Sequence, residues 1–213
     1  MKRNSFSPLW MAYAGVLIAL QIVLGNLVQI AFIEKQMNFG FLPIAVAGYL
    51  LGPVGGMIVA ALGDVLGTLI FGTGAYFPGF TVTALAVGFL YGWAMHPRYQ
   101  QWLARAVRTR YMELAVRAFL AASMAAVVYI FFNSYWLTYF ISKSYWIILV
   151  GRLPFNLAEI PVFTVLITLT CTALDRLPAS LLPKAFLNAG RGKRKVAADT
   201  ANDTDHTAGS AES

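Results

Sequence analysis

The chain has 213 residues, of which 59% are hydrophobic and only 12% charged, and its mean hydropathy is +0.66. A soluble domain is roughly half apolar and about a quarter charged, so a soluble enzyme, a disordered chain and a disulfide scaffold are all excluded. The single cysteine, Cys171, leaves no intrachain disulfide, and the net charge of +7 takes its meaning from where the cations lie.

Apolar runs follow in order at about 8–33, 39–52, 54–71, 80–95, 113–132 and 145–173. A bilayer core of about 30 Å needs ~20 helical residues. The first, fifth and sixth runs meet this, the third and fourth sit near the lower limit, and the second is short. Taken as one helix, 39–71 would be about 50 Å long. The turn signal Gly52-Pro53-Val54-Gly55-Gly56 in its middle predicts two short helices instead. A short helix whose turn lies at one surface stops below the other, leaving a recess lined by backbone. The predicted fold class is therefore all-α: an integral membrane bundle of six transmembrane helices with an outward-facing cavity.

The predicted organisation is a short N-terminus (1–8), a six-helix membrane domain (9–173), an extension (174–188) and a disordered tail (189–213) rich in Gly, Ala, Asp and Thr. Gln21, Asn26 and Gln29, and the lack of a small-residue cleavage site, argue against a cleaved signal peptide. Thirteen lysines and arginines fall before helix 1, around the 4–5 connection and after helix 6. Only Lys35 and Lys143 fall on the other side, and Arg152 lies inside helix 6. The positive-inside rule then places both termini in the cytoplasm. Those cations face anionic lipid headgroups, and no nucleic-acid partner is implied.

Small residues recur every fourth position in 63–67, 84–92 and 118–126, a pattern that lets helices approach closely inside a bundle. On the first helix, Gly15 and Ala19 form a small face that a terminal helix can present to another subunit. Three ionisable residues, Asp64, Arg152 and Glu159, lie deep in the spans, where such groups face the bundle interior or water. Asp64 and Arg152 are both seven residues, or ~10 Å, from the outer ends of their helices. Two readings stand open: an ion pair between them, or an Arg152 fork offered to a substrate carboxylate. Glu159 lies between Pro154 and Pro161, which are expected to kink the last helix.

The outer loops are rich in aromatics: Gly72 to Thr81, with Tyr76, Phe77, Pro78 and Phe80, and then Asn133-Ser134-Tyr135-Trp136. Interface belts are the ordinary explanation for Tyr and Trp there. The Gly and Pro turn chemistry points further, to loops folded over a flat heteroaromatic ligand held by stacking and by amide edges. No catalytic chemistry is visible. There is no Walker A sequence or serine nucleophile elbow, and His96 and His206 have no metal-ligand spacing. No cofactor or metal is expected, and an integral membrane enzyme or stand-alone channel is the reading from another class.

Three blocks resemble the substrate-binding (S) components of energy-coupling-factor (ECF) vitamin transporters, specifically the folate-type branch. They are Phe39-Gly40-Phe41-Leu42-Pro43-Ile44 with Gly52 to Gly56 and Gly63-Asp64; Gly74-Ala75-Tyr76-Phe77-Pro78-Gly79-Phe80-Thr81 with Tyr91-Gly92; and Asn133 to Leu137 with Arg152, Asn156 and Pro161. The resemblance spans about 9–173. It implies a bacterial plasma-membrane subunit that captures a vitamin, folate foremost or another flat heteroaromatic one, outside the cell. It further implies docking on a transmembrane coupling protein with two cytosolic ATPases, followed by toppling to release the load. The implied substrate-binding residues are Phe39, Tyr76, Phe77, Phe80, Thr81, Asn133, Trp136, Arg152 and Asn156. The implied docking residues are Ala12, Gly15 and Ala19, and Asp64 and Glu159 are structural or ligand-linked charges. One departure from the family pattern is Phe155, where the folate branch carries a lysine.

Overall fold

Gly52 turns the longest apolar stretch back on itself. Its backbone, at φ 80° and ψ −171°, is open to glycine and strained for other residues, and Pro53 follows without an N–H to continue the helix. A Cβ built on Gly56 would lie 3.5 Å from Gly48 Cα. Residues eight apart in a straight helix are about 12 Å apart, so the two legs fold together. In this computed structural model the described residues are 8–31, 36–72, 76–99, 107, 109–140, 144–178, 182 and 186.

In chain order the elements are α1 (Pro8–Asn26), β1 (Gln29–Ala31), β2 (Gln36–Asn38), α2 (Phe41–Phe71, bent at Gly52) and α3 (Pro78–Met95). Then come α4 (Arg110–Val128), a π-helical turn (Tyr129–Asn133), α5 (Ser134–Leu137) and α6 (Tyr145–Asp175). Among the described residues, five helical segments are long and apolar enough to cross a membrane: Pro8–Asn26, Phe41–Phe71, Pro78–Met95, Arg110–Leu137 and Tyr145–Asp175. The sequence predicts six because it counts the legs of α2 apart. The first leg, residues 41–51, is only about 16 Å long, too short to span alone.

The all-α expectation describes the bundle, and one small element lies outside it. β1 and β2 form a small antiparallel hairpin, with Gln29 opposite Asn38 and Ala31 opposite Gln36. Strands of three residues carry no readable alternation. The lysines and arginines at positions 2, 3, 35, 105, 108 and 143, the Gly74–Ala75 part of the second block, about half of the 174–188 extension and the whole 189–213 tail lie outside the described residues.

The small-residue faces are internal contacts. Side chains on Gly48 or Gly56 would strike the α3 backbone at Gly92 or Gly88, so α2 and α3 touch backbone to backbone. Ala118, Ala122 and Ala126 of α4 are likewise buried. α1 differs: Ala12, Gly15 and Ala19 are exposed, and a Cβ on Gly15 would meet nothing within 4 Å. α6 passes through Pro154 and Pro161 as one helical segment. Asn156 Nδ2 donates to the Arg152 carbonyl at 2.8 Å beside the first of these prolines.

At the end of the bundle holding the α2 bend, charges tie the elements together. The Tyr49 hydroxyl donates to Asp175 Oδ1 at 2.5 Å, and Arg110 donates to Tyr49 Oη at 2.8 Å and Asp175 Oδ2 at 3.0 Å. Arg110 also reaches Glu113 at 3.1 Å, and Glu113 pairs with the fully buried Arg117. Arg117 in turn donates to the Met95 carbonyl at 3.4 Å. This network joins the first leg of α2 to α3, α4 and α6. Phe186 packs edge-on against Tyr49, with centroids 4.9 Å apart.

Candidate functional site

At the opposite end, the short first leg of α2 begins below the hairpin, and a cavity of about 410 Å³ opens there. That volume lies within the usual range for small-molecule sites. α1 supplies Gln21 and Asn26, β2 supplies Asn38, and the second leg of α2 supplies Asp64 and Thr68. The π turn adds Tyr129 and Asn133, and α6 adds Arg152, Glu159 and Phe163. Three ionisable groups therefore share one wall-to-wall space, and aromatic faces of Phe41, Phe163 and Tyr129 accompany them.

Asp64 is held from outside the cavity. Thr81 Oγ1 donates to Asp64 Oδ2 at 2.7 Å, and the Tyr76 hydroxyl lies 3.2 Å from Thr81 Oγ1. Among the described residues no ion pair within 4 Å joins Asp64 to Arg152, so the first of the two readings of Arg152 is not what the geometry shows. Arg152 Nε and Asn133 Oδ1 are buried atoms without a hydrogen-bond partner among the described residues. A guanidinium and an amide with unused capacity at one cavity present a donor and an acceptor to whatever binds there.

Of the residues implied by sequence, the cavity gathers Asn133, Arg152, Asp64 and Glu159. Thr81 and Tyr76 stand behind Asp64, and Asn156 is buried with its amide on the Arg152 carbonyl. Phe77, Phe80 and Trp136 do not line the cavity. Phe77 packs on Trp136 at 5.5 Å and on Phe140 at 5.5 Å, and Phe80 stacks on Phe140 at 6.1 Å. Trp136 Nε1 donates to Thr83 Oγ1 at 3.1 Å. These rings satisfy one another over the start of α3, which is where the belt and the ligand readings diverge. Phe39 packs against Phe41 at 6.4 Å, and it is Phe41, stacked on Phe163 at 3.6 Å, that reaches the cavity.

Sequence reasoning missed Gln21, Asn26, Asn38, Thr68, Phe41, Tyr129 and Phe163. A signal existed for Gln21 and Asn26: amides within an apolar helix need a polar destination. None existed for Phe41 or Phe163, which read as core.

Comparison with known proteins gives the family. A family model described as "ECF transporter, substrate-specific component" matches residues 10–170. A folate transporter FolT of Clostridium novyi (strain NT) is 31% identical over 167 residues, covering 78% of this chain and 90% of that protein. A folate transporter FolT of Leuconostoc mesenteroides is 35% identical over 80 residues, covering 38% of this chain and 43% of its own. The solved structure of FolT bound with folic acid shares the fold, with a TM-score of 0.62 at 24% identity, covering 76% of this chain and 91% of that one. This chain belongs to the family of substrate-specific components of ECF transporters, multi-pass bacterial membrane proteins that are transporter subunits and not enzymes.

Proposed function

We propose that this chain captures folate outside the cell and delivers it to a transmembrane coupling protein energised by two cytosolic ATPases. The observation that carries the reading is Arg152: a guanidinium in a ligand-sized cavity, with Nε unpartnered and no ion pair to an acid among the described residues. Folate brings carboxylates to such a group and a flat donor-bearing heterocycle to Phe41, Phe163, Asp64 and Glu159. The relatives named as folate transporters support the same ligand.

In this reading the two legs of α2 count separately, giving six helices with both termini in the cytoplasm and the cavity facing outward. The split of thirteen cations against two supports that orientation. The exposed strip of Ala12, Gly15 and Ala19 is the docking face for the coupling protein. Phe39, Tyr76, Phe77, Phe80, Thr81, Trp136 and Asn156 act around the ligand indirectly, as backing for Asp64 and Arg152 or as a ring cluster beside the mouth. The membrane domain covers 9–173, with 174–188 a cytoplasmic extension and 189–213 a tail.

Phe155, standing where the folate branch has a lysine, favours a second reading: a related flat vitamin with fewer acid groups. Titration of radiolabelled folic acid into the purified chain without ATP tests both. Saturable binding displaced by unlabelled folic acid is expected. Absence of binding overturns the folate reading, and concentrative uptake by liposomes holding this chain alone overturns the need for partners.

A further inference from the structure

Gln21 is a polar residue within an apolar helix, and it is only 8% exposed. Nε2 donates to the Ala60 carbonyl of α2 at 3.2 Å. A carbonyl only accepts, so this bond fixes which end of the amide is which. Oε1 is thereby left buried with no partner among the described residues. The amide fills the notch at Gly63, where a Cβ would overlap its Cδ, Oε1 and Nε2. Gln21, Gly63 and Asp64 all line the cavity. A buried acceptor without a donor is costly, and native proteins keep such groups for a reason.

We propose that Gln21 reads the bound ligand: Oε1 accepts a hydrogen bond from an N–H donor of its heterocycle. This makes the first helix a determinant of ligand choice. Asp64 brings a carboxylate to the same wall, one residue from the Gly63 notch. Two neighbouring acceptors fit an edge with two adjacent donors, such as the ring N–H and exocyclic amino group of a 2-amino-4-oxopyrimidine ring. Arg152 then takes the acid end of the molecule. The inference rests on the folate reading of this cavity and adds to it the part of the ligand that α1 recognises.

The test uses the full chain, purified in detergent, with folic acid and with para-aminobenzoylglutamate, which carries the acid tail and lacks the heterocycle. Gln21→Met keeps the side-chain length and removes the acceptor. It should weaken folic acid binding about tenfold or more while changing para-aminobenzoylglutamate binding less than about twofold. Equal losses for the two ligands would mean that Gln21 only shapes the cavity, and unchanged folic acid affinity would mean that it does not read the ligand; either overturns the proposal. Wild-type protein that fails to bind folic acid overturns the folate reading and the inference with it. Should Gln21→Met not fold, a structure of the wild-type folic acid complex decides. A ligand N–H within about 3.2 Å of Oε1 supports the proposal, and none within about 3.5 Å overturns it.

Discussion

Thr81 on α3 donates to Asp64 on α2 at 2.7 Å, and Asp64 makes no ion pair with Arg152 across the cavity among the described residues. The acid is thus steadied by a hydroxyl behind it, and the guanidinium is left for something else. Depth along two helices gives height within the membrane but not the direction in which each side chain turns. That is why Asp64 and Arg152 share a cavity without forming a pair.

The first prediction follows directly. Arg152→Ala should leave the fold intact and cost about 1.5–3 kcal/mol of folic acid binding, or roughly 10- to 150-fold. Arg152→Lys should recover only part, since an ammonium lacks the planar fork. A pterin fragment without the glutamate should lose less than folic acid does. Calorimetric titration of both ligands checks this, and equal losses would show that Arg152 does not read the carboxylate.

How far the sequence alone reaches depends on whether a property is local. The bend at Gly52 was legible because Gly52-Pro53, with Gly55 and Gly56 close behind, is a turn signal carried by adjacent residues, and Gly52 does adopt positive φ. The packing role of Ala118, Ala122 and Ala126 was legible because a four-residue period on a helix marks one face. The ring cluster was not. Phe77 touching Trp136 and not lining the cavity is decided by where α3 sits against the end of α4 and α5, which no window of sequence contains. Gln21 and Asn26 were visible as polar residues in an apolar helix, but their destination depended on how closely α2 approaches α1. Gly63 and Gly67 set that approach, since side chains on them would press into the Gln21 and Asn26 amides.

A second prediction concerns α1. Ala19 and Gln21 are two residues apart, about 200° around the helix, so one faces outward while the other is buried. Ala19→Trp should block assembly with the coupling protein and abolish uptake, while folic acid affinity of the isolated subunit stays within about twofold. Copurification with the coupling protein and normal uptake by the variant would remove α1 as the docking face.

The ion-pair network at the other end supplies a third. Arg117 is fully buried and paired with Glu113. Removing one member of such a pair costs about 3–5 kcal/mol, because the other charge stays buried with weaker compensation. Arg117→Met should therefore lower the melting temperature sharply. Adding Glu113→Gln should restore part of the loss, although Glu113 also holds Arg110 at 3.1 Å. Ligand affinity, measured at a temperature where both variants are folded, should change little, since the network lies at the end away from the cavity.

The fourth prediction is a pH dependence centred on His96, which caps α3 under the α2 bend. Its Nδ1 accepts from the Arg98 backbone N–H at 3.2 Å, and a Cβ on Gly52 would lie 3.5 Å from its ring. Burial, with Arg98 and Arg117 nearby, lowers the imidazole from 6.5 to about 4. The unfolded chain therefore binds a proton between those values that the folded chain refuses. Stability from this residue is full above about pH 6.5 and falls as pH drops toward 4, by about 2 kcal/mol at pH 5 relative to pH 8. His96→Gln has no such group to titrate. Thermal melts of both proteins from pH 8 to pH 5 should show the wild type losing more stability than the variant. Parallel curves would mean that His96 titrates in the folded protein as it does in the unfolded chain, and would overturn the prediction.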